Sequence, residues 1–131
     1  MKSPELSSLN DITSEILDSA IEVHREMGPG LLESVYQNCM IIELEERGLD
    51  VAPQTPVPLH YKGTQLEKNY LIDLLVEDEI IVELKAVEMV LPVHEAQILS
   101  YLKLTNKRIG ILINFNVKLL KNGFKRFING Y

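Results

Sequence analysis

Two short apolar runs joined by three acidic residues constrain the fold of this chain more than any other feature. Tyr70–Val76 and Ile80–Ala86 have the length and the β-branched composition of strands, and the acidic connection between them is typical of a hairpin. Pairing across this turn places Asp73 opposite Glu83. Residues two apart on a strand share a face, so Lys85 points the same way as Glu83. The hairpin therefore predicts two carboxylates and an ammonium group on one patch.

Such a patch predicts a site for a divalent cation. Opposed like charges destabilise a hairpin unless a cation offsets them, and carboxylate oxygens suit a hard divalent ion. The sequence has no Cys/His cluster with zinc spacing, which favours Mg²⁺ or Mn²⁺. Lys85 beside such an ion could hold a water or a phosphate oxygen for hydrolysis by metal-activated water. The alternative is a half-exposed hairpin whose carboxylates form surface ion pairs with Lys85.

Helical spacing dominates the first third of the chain. Apolar residues recur at intervals of three and four from Asn10 to Met27, and Asn10 or Asp11 can cap the start of that helix. A Gly-Pro-Gly break follows. A second helix is predicted over 31–47, with Gly48 at its left-handed end. The inward stripes are predicted to be Ile12, Ile16, Ala20, Val23 and Met27 in the first helix, and Leu32, Val35, Cys39 and Ile42 in the second.

The rest of the chain alternates strands and one helix. Three prolines make 51–61 an extended segment at a sheet edge. A helix is predicted from Val93 to Leu104 with Pro92 in its first turn, and then a doubly buried strand over 109–113. Asn122-Gly123 predicts a final hairpin between 117–121 and 124–128. This order indicates an α/β sandwich with a mixed sheet.

Length and composition favour one soluble domain over residues 1–131. A chain of this size with 46% hydrophobic residues can bury a core without disulfides or a structural metal. The lone Cys39 predicts a buried thiol in a reducing compartment, with a cytoplasmic location. Met1–Glu15 has no apolar run of signal-peptide length, and no later run is long enough to span a membrane.

The charge is divided unevenly along the chain. The net charge is −6, yet residues 96–131 hold seven basic residues and no acid. Such a segment could face the phosphates of a nucleic acid, and the alternative is a solvated basic surface that balances the acidic half. The seven residues are Lys103, Lys107, Arg108, Lys118, Lys121, Lys125 and Arg126.

Other candidate residues lie on the helices. Glu33 and Tyr36 share a helical face, although an acid is also favoured in a first turn and Tyr36 could belong to the core. Gln97 and Tyr101 are one turn apart and could orient water, a carboxylate or a phosphate, or serve only as a structural pair. His24 is predicted to face inward, either as a hydrogen-bonded core histidine or as a metal ligand or general base.

Taken in order, these motifs resemble those of the PD-(D/E)XK nuclease superfamily, in particular its RecB-like branch. The resemblance rests on Asp73, Glu83-x-Lys85 and Gln97-x3-Tyr101, preceded by a helical Glu33. The segment from His24 through Gly30 and Glu33 to Tyr36 is similar to the signature of the GxxExxY family. Ile72 stands where the superfamily name places proline, a position that varies widely.

The resemblance implies a restriction-endonuclease-like fold, a three-layer sandwich with a mixed central β-sheet flanked by helices. It implies Asp73 and Glu83 as metal ligands, Lys85 as the catalytic lysine, Glu33 as an additional acidic residue, and Gln97 with Tyr101 as a supporting pair. His24 is similar to the histidine that precedes the acidic motif in RecB-like enzymes. We expect a nuclease that acts on DNA, with a non-catalytic module that binds nucleic acid or protein as the alternative. Specificity is expected from the structure of the nucleic acid, from a homodimer or from a partner.

Overall fold

The computed structural model describes residues 6–130. Residues 1–5 and 131 lie outside this range, and so do the parts of the predicted domain 1–131 and of the segment Met1–Glu15 that fall on them. These residues form three α-helices, five strands and one 3-10 helix. The elements are α1 (Leu6–Met27), α2 (Glu33–Glu46), β1 (Val51–Tyr61), β2 (Thr64–Val76), β3 (Ile80–Lys85), α3 (Pro92–Thr105), β4 (Ile109–Asn114), a 3-10 helix (Leu120–Gly123) and β5 (Phe124–Ile128).

The strands form one mixed sheet in the order β1-β2-β3-β4-β5. Only β3 and β4 are parallel, because α3 connects them as a crossover, and the other neighbours are antiparallel. The helices α1 and α2 cover one face and α3 covers the other, which gives three layers. The predicted α/β sandwich with a restriction-endonuclease-like arrangement is therefore confirmed.

Alternation along the central strands divides the core in two. On β3, Ile80, Val82 and Leu84 pack toward α1 and α2, whereas Ile81 packs toward α3. Strand β4 is buried along its whole length, as predicted for a strand covered on both faces. The β2–β3 hairpin, the edge position of β1 and the start of α3 at Pro92 are also confirmed.

The start and the inward stripe of α1 differ from the prediction. The helix begins at Leu6, so Asn10 and Asp11 are not caps. Leu9, which is 1% exposed, extends the buried stripe by one turn toward the N-terminus, and this packing carries the helix through the predicted cap. Met27 is 40% exposed and lies outside the core, because the helix ends there.

The predicted stripe of α2 is wrong by one position. The buried residues are Tyr36, Met40 and Leu44. The helix begins at Glu33, and the predicted Leu32 and Ile42 are 73% and 59% exposed. Tyr36 fixes this rotation, because its ring stacks on Phe115 and its hydroxyl hydrogen-bonds the backbone of the Gly28–Leu31 turn. The predicted buried thiol of Cys39 is consequently only half-buried.

The predicted C-terminal hairpin is also wrong. Residues 117–121 form no strand; β5 pairs with β4 instead, after a loop and the 3-10 helix. Gly123 is needed for close approach and not for a turn, since a Cβ at this position would lie 2.0 Å from the carbonyl oxygen of Asn114. Within the described range, no helix combines the length and apolarity required to cross a bilayer.

Candidate metal centre and active site

Hydrogen bonds to the backbone hold the side chains of Asp73 and Glu83 where the β2–β3 ladder ends. The backbone N–H of Asp73 donates to Oε2 of Glu83 over 2.8 Å, and the backbone N–H of Leu84 donates to Oδ2 of Asp73 over 2.8 Å. Each carboxylate thus accepts a hydrogen bond from the backbone of the opposite strand. The predicted convergence of the two acids is what the structure shows.

The backbone pairing of β2 and β3 follows the predicted register as far as Leu74 and Val82, and side-chain hydrogen bonds replace it beyond that pair. The β2–β3 ladder runs as predicted from Val76↔Ile80 to Leu74↔Val82. Beyond this pair, the N–H groups of Asp73 and Leu84 donate to carboxylate oxygens instead of backbone carbonyls. The side-chain alternation of β2 also reverses here, since Ile72 packs toward α3 and Leu74 packs toward α1 and α2. This opening of the ladder makes room for two charged groups between strands that are otherwise apolar.

Two amides connect this site to α2. The Nε2 of Gln54, on β1, donates to Oε1 of Gln37 over 2.9 Å and lies 3.5 Å from Oδ1 of Asp73. Gln54 has a positive φ of 48°, which interrupts the β1–β2 ladder at the level of Asp73. Gln37 is one helical turn after Glu33, so both lie on one side of α2. Neither amide is among the site residues predicted from the sequence.

Glu83 lies in an environment that resists its negative charge. It is 5% exposed, and burial, aided by the charge of Asp73, raises its pKa to about 8. The N–H of Asp73 and the ammonium of Lys85 act in the opposite direction, and Glu33 has the smallest effect, raising the pKa. Among residues 8–130, no ion pair joins Lys85 to either acid, so the alternative of surface ion pairs does not describe this site.

Lys85 is held at the end of β3 by its neighbours on β4. Its residue position pairs with Asn114, and its carbonyl accepts a 2.9 Å hydrogen bond from the N–H of Phe115. The buried amide of Asn114 accepts from the N–H of Val87 and donates to the carbonyl of the same residue. These bonds fix the backbone at Lys85 and directly after it, and the half-buried side chain of Lys85 shares a strand face with Glu83.

Tyr101 approaches the carboxylates from α3. It is 3% exposed, and burial, then the charges of Glu83 and Asp73, raise its pKa to about 12. The phenol therefore stays protonated at neutral pH. Gln97, one turn earlier, lines a neighbouring cleft of 440 Å³ together with Tyr70, whose ring meets Tyr101 edge-on at 5.2 Å. Tyr101 thus lies within electrostatic reach of the carboxylates and Gln97 lies one turn away from it, so the role of this pair stays a prediction; Tyr70 is an addition that the sequence did not predict.

The other helical candidates lie at the same end of the sheet. Glu33 is exposed in the first turn of α2, within electrostatic range of Glu83. Tyr36 is a core residue. His24 contacts Phe115, with ring centroids 6.5 Å apart, and its Nε2 is 2.7 Å from the carbonyl oxygen of Val117. In this structure His24 is a histidine with a satisfied hydrogen bond, and its role as a metal ligand stays a prediction.

The structure does not gather the predicted basic residues on one face. Lys107 contacts Asp78 at the β2–β3 turn, at the end of the hairpin away from Lys85. On β5, Lys125 pairs with Glu95 of α3, whereas Arg126 contacts Asn10 of α1 on the other face. Lys118 and Lys121 line a 380 Å³ cavity beside His24. Lys103 is exposed on α3, and Arg108 directly precedes β4.

The donor set fits a magnesium-type ion. Within the described part of the chain, no three His, Cys, Asp or Glu side chains assemble as a metal site. Mg²⁺ is commonly bound by one or two carboxylates while water and substrate phosphate fill its other positions. Asp73 and Glu83 each commit one oxygen to a backbone N–H, and Oε1 of Glu83 has no hydrogen bond to a described residue. Two carboxylates with oxygens left over are therefore compatible with such an ion.

The residues that the sequence analysis missed have weak sequence signals. Asn114 is the polar end of an apolar strand, and Gln54 lies between two prolines, but neither position by itself indicates a partner. Tyr70 lies three residues before Asp73, at the start of the predicted strand. Only its contact with Tyr101, 31 positions later, marks it as part of the site.

A mixed sheet whose central hairpin presents Asp73, Glu83 and Lys85 defines a nuclease-like protein. A family model described as the PD-(D/E)XK nuclease superfamily matches residues 10–127, and the chain belongs to this superfamily. Members of it generally use divalent metals. A search of curated proteins and a search of solved structures each returned no match.

Proposed function

We propose that this protein is a nuclease that depends on Mg²⁺ or Mn²⁺ and hydrolyses phosphodiester bonds in DNA. We further propose that it belongs to the GxxExxY family in the RecB-like branch of the superfamily. The observation that carries the proposal is the reciprocal hydrogen bonding of Asp73 and Glu83, which holds two carboxylates side by side in a largely buried position. Two such charges are costly to bring together, and a divalent cation would offset that cost.

Asp73 and Glu83 would hold the cation through their remaining oxygens. When bound, the cation supplies Lewis acidity that turns water into a nucleophile at neutral pH. Hydrolysis joins the water oxygen to phosphorus and breaks the bond from phosphorus to the bridging oxygen, which leaves with a proton. Lys85 is the residue that we assign to the phosphate, because its ammonium lies on the same strand face as Glu83 and can stabilise the negative charge that develops there.

Three further side chains support these roles. The protonated phenol of Tyr101 can donate a hydrogen bond to a phosphate oxygen, and the amide of Gln97 can orient a water or a substrate group. Gln54 steadies Oδ1 of Asp73. We assign Glu33 and His24 to the outer part of the site, with nucleic-acid contacts from Lys103, Lys121, Lys125 and Arg126, and from Lys107 and Arg108 where the bound strand extends that far.

The test is cleavage of a panel of labelled DNA and RNA, single- and double-stranded, in Mg²⁺, Mn²⁺ or EDTA. Wild-type protein should cleave DNA with either cation and not in EDTA. Lys85→Ala should lower the rate by about 100-fold or more, since removing one preorganised charge-stabilising donor costs roughly that much. Lys68→Ala is the matched control, an exposed lysine on β2 outside the site, and should cleave normally.

Unchanged cleavage by Lys85→Ala would contradict the assignment and would point to a contaminating nuclease. Binding of nucleic acid without any cleavage by the wild type would favour the non-catalytic alternative. Melting temperatures of all variants should be measured first, so that loss of activity is not confused with loss of fold.

A further inference from the structure

The cleft that Tyr70 and Gln97 line has an aromatic wall that the hydrolysis itself does not require. It lies between β2 and the exposed face of α3 and has a volume of 440 Å³, within the roughly 300–1,000 Å³ typical of small-molecule sites. Tyr70 forms one side. The residues that line the cleft are Tyr70, Val93, His94, Ala96, Gln97 and Ser100.

The ring of Tyr70 is exposed and oriented. It is 40% exposed, and its edge-to-face contact with Tyr101 holds the two planes at 61°. Tyr101 is in turn buried within electrostatic reach of Glu83 and Asp73. A planar group stacked on Tyr70 would therefore lie beside a ring that is itself within electrostatic reach of the carboxylates.

The opposite wall alternates apolar and polar groups. Val93, which is 64% exposed, and Ala96 offer apolar contact. The amide of Gln97 makes no hydrogen bond to any described residue, and His94 uses only Nδ1, which accepts the N–H of Leu91. A nucleobase has apolar faces and a polar edge, so it matches one aromatic wall and one wall with free hydrogen-bonding groups.

We propose that this cleft takes a single unstacked nucleobase next to the scissile phosphate, and that single-stranded DNA is consequently the preferred substrate class. The inference rests on the proposed nuclease function and deepens it. A base inside a duplex has both faces covered by its neighbours and cannot reach Tyr70 without leaving the stack. A base in an unpaired strand can contact Tyr70 without the free-energy cost of leaving a duplex.

The test is equilibrium binding of oligonucleotides that carry 2-aminopurine, as single strands and as duplexes of the same sequence. Binding is measured in Mg²⁺ with Lys85→Ala protein, so that cleavage does not interfere. This protein should bind the single strand at least tenfold more tightly than the duplex and should quench 2-aminopurine fluorescence. Adding Tyr70→Ala should weaken single-strand binding about tenfold, as expected for the loss of one stacking contact, and leave duplex binding unchanged.

Two variants keep the result interpretable. Tyr70→Phe retains the ring and should bind like the parent. Tyr61→Ala removes an exposed tyrosine at the end of β1, outside the cleft, and should also bind normally.

Equal affinity for both substrates, or equal weakening of both by Tyr70→Ala, would overturn the nucleobase cleft while cleavage by wild-type protein still upheld the nuclease. Absence of both binding and cleavage in the wild type would overturn both proposals.

Discussion

Asp73 and Glu83 each bind the backbone of the strand that carries the other, through two hydrogen bonds of 2.8 Å. Backbone N–H groups thereby orient both side chains. The arrangement also places two acidic side chains close together in a site where Glu83 is nearly inaccessible to solvent, so that without a cation Glu83 keeps its proton up to about pH 8. The carboxylates are therefore preorganised for a cation, and several measurable consequences follow from that state.

Divalent cations should stabilise the protein. Millimolar Mg²⁺ or Mn²⁺ should raise the melting temperature, since an ion at tenfold its dissociation constant stabilises the folded state by about 1.4 kcal/mol. Asp73→Asn should remove this effect yet keep the fold, because the amide oxygen can still accept the N–H of Leu84. Asp11→Asn, at an exposed site on α1, is the control. A full metal-dependent shift in Asp73→Asn would contradict the assignment.

Metal-free protein should lose stability as the pH rises. The pKa of Glu83 is raised from 4.5 to about 8 by burial and by Asp73, so the folded state holds a proton that the unfolded state has lost. The stabilising contribution is complete below about pH 4.5 and is lost by pH 8, with a total on the order of a few kcal/mol. Urea unfolding in EDTA at pH 5 and pH 8 measures it. Glu83→Gln should flatten the dependence, and Glu67→Gln should not.

Among the basic residues, position relative to the carboxylates should decide the effect on binding. Lys121→Ala, beside the His24 cavity, should weaken DNA binding and lower the slope of log affinity against log salt by about one. Lys107→Ala should have a smaller effect on both, because the ammonium of Lys107 already contacts Asp78 at the far end of the hairpin. A larger loss from Lys107→Ala would mean that DNA follows a different path.

Gly123 should be intolerant of any side chain. A Cβ would meet the carbonyl oxygen of Asn114 at 2.0 Å, so Gly123→Ala must displace backbone and should destabilise the protein by about 2 kcal/mol in chemical unfolding. Asn122→Ala, at the exposed neighbouring position, should cost far less. Equal stability of both variants would show that the loop before β5 can move freely.

The central hairpin could be predicted because its information is local. A three-residue turn fixes the register, and the register brings Asp73 and Glu83 together. The resemblance to a nuclease family then followed from residue order alone. The opening of the ladder at Asp73 could not be predicted, since it depends on side chains that replace backbone carbonyls.

Long-range contacts account for the remaining errors. The rotation of α2 depends on the stacking of Tyr36 against Phe115, far along the chain. The Asn122-Gly123 pair has the sequence of a tight turn, yet its glycine is required by contact with Asn114. Tyr70 and Gln54 likewise join the site through partners on other elements. A sequence shows which groups are present, but such pairings exist only in the folded chain.

Anomalous diffraction from crystals soaked in Mn²⁺ tests the central claim most directly. The account predicts a manganese peak within bonding distance of oxygens from both Asp73 and Glu83, and no peak there in crystals of Asp73→Asn. Wild-type crystals in millimolar Mn²⁺ that show no peak between these two side chains, or manganese bound only elsewhere, would contradict it.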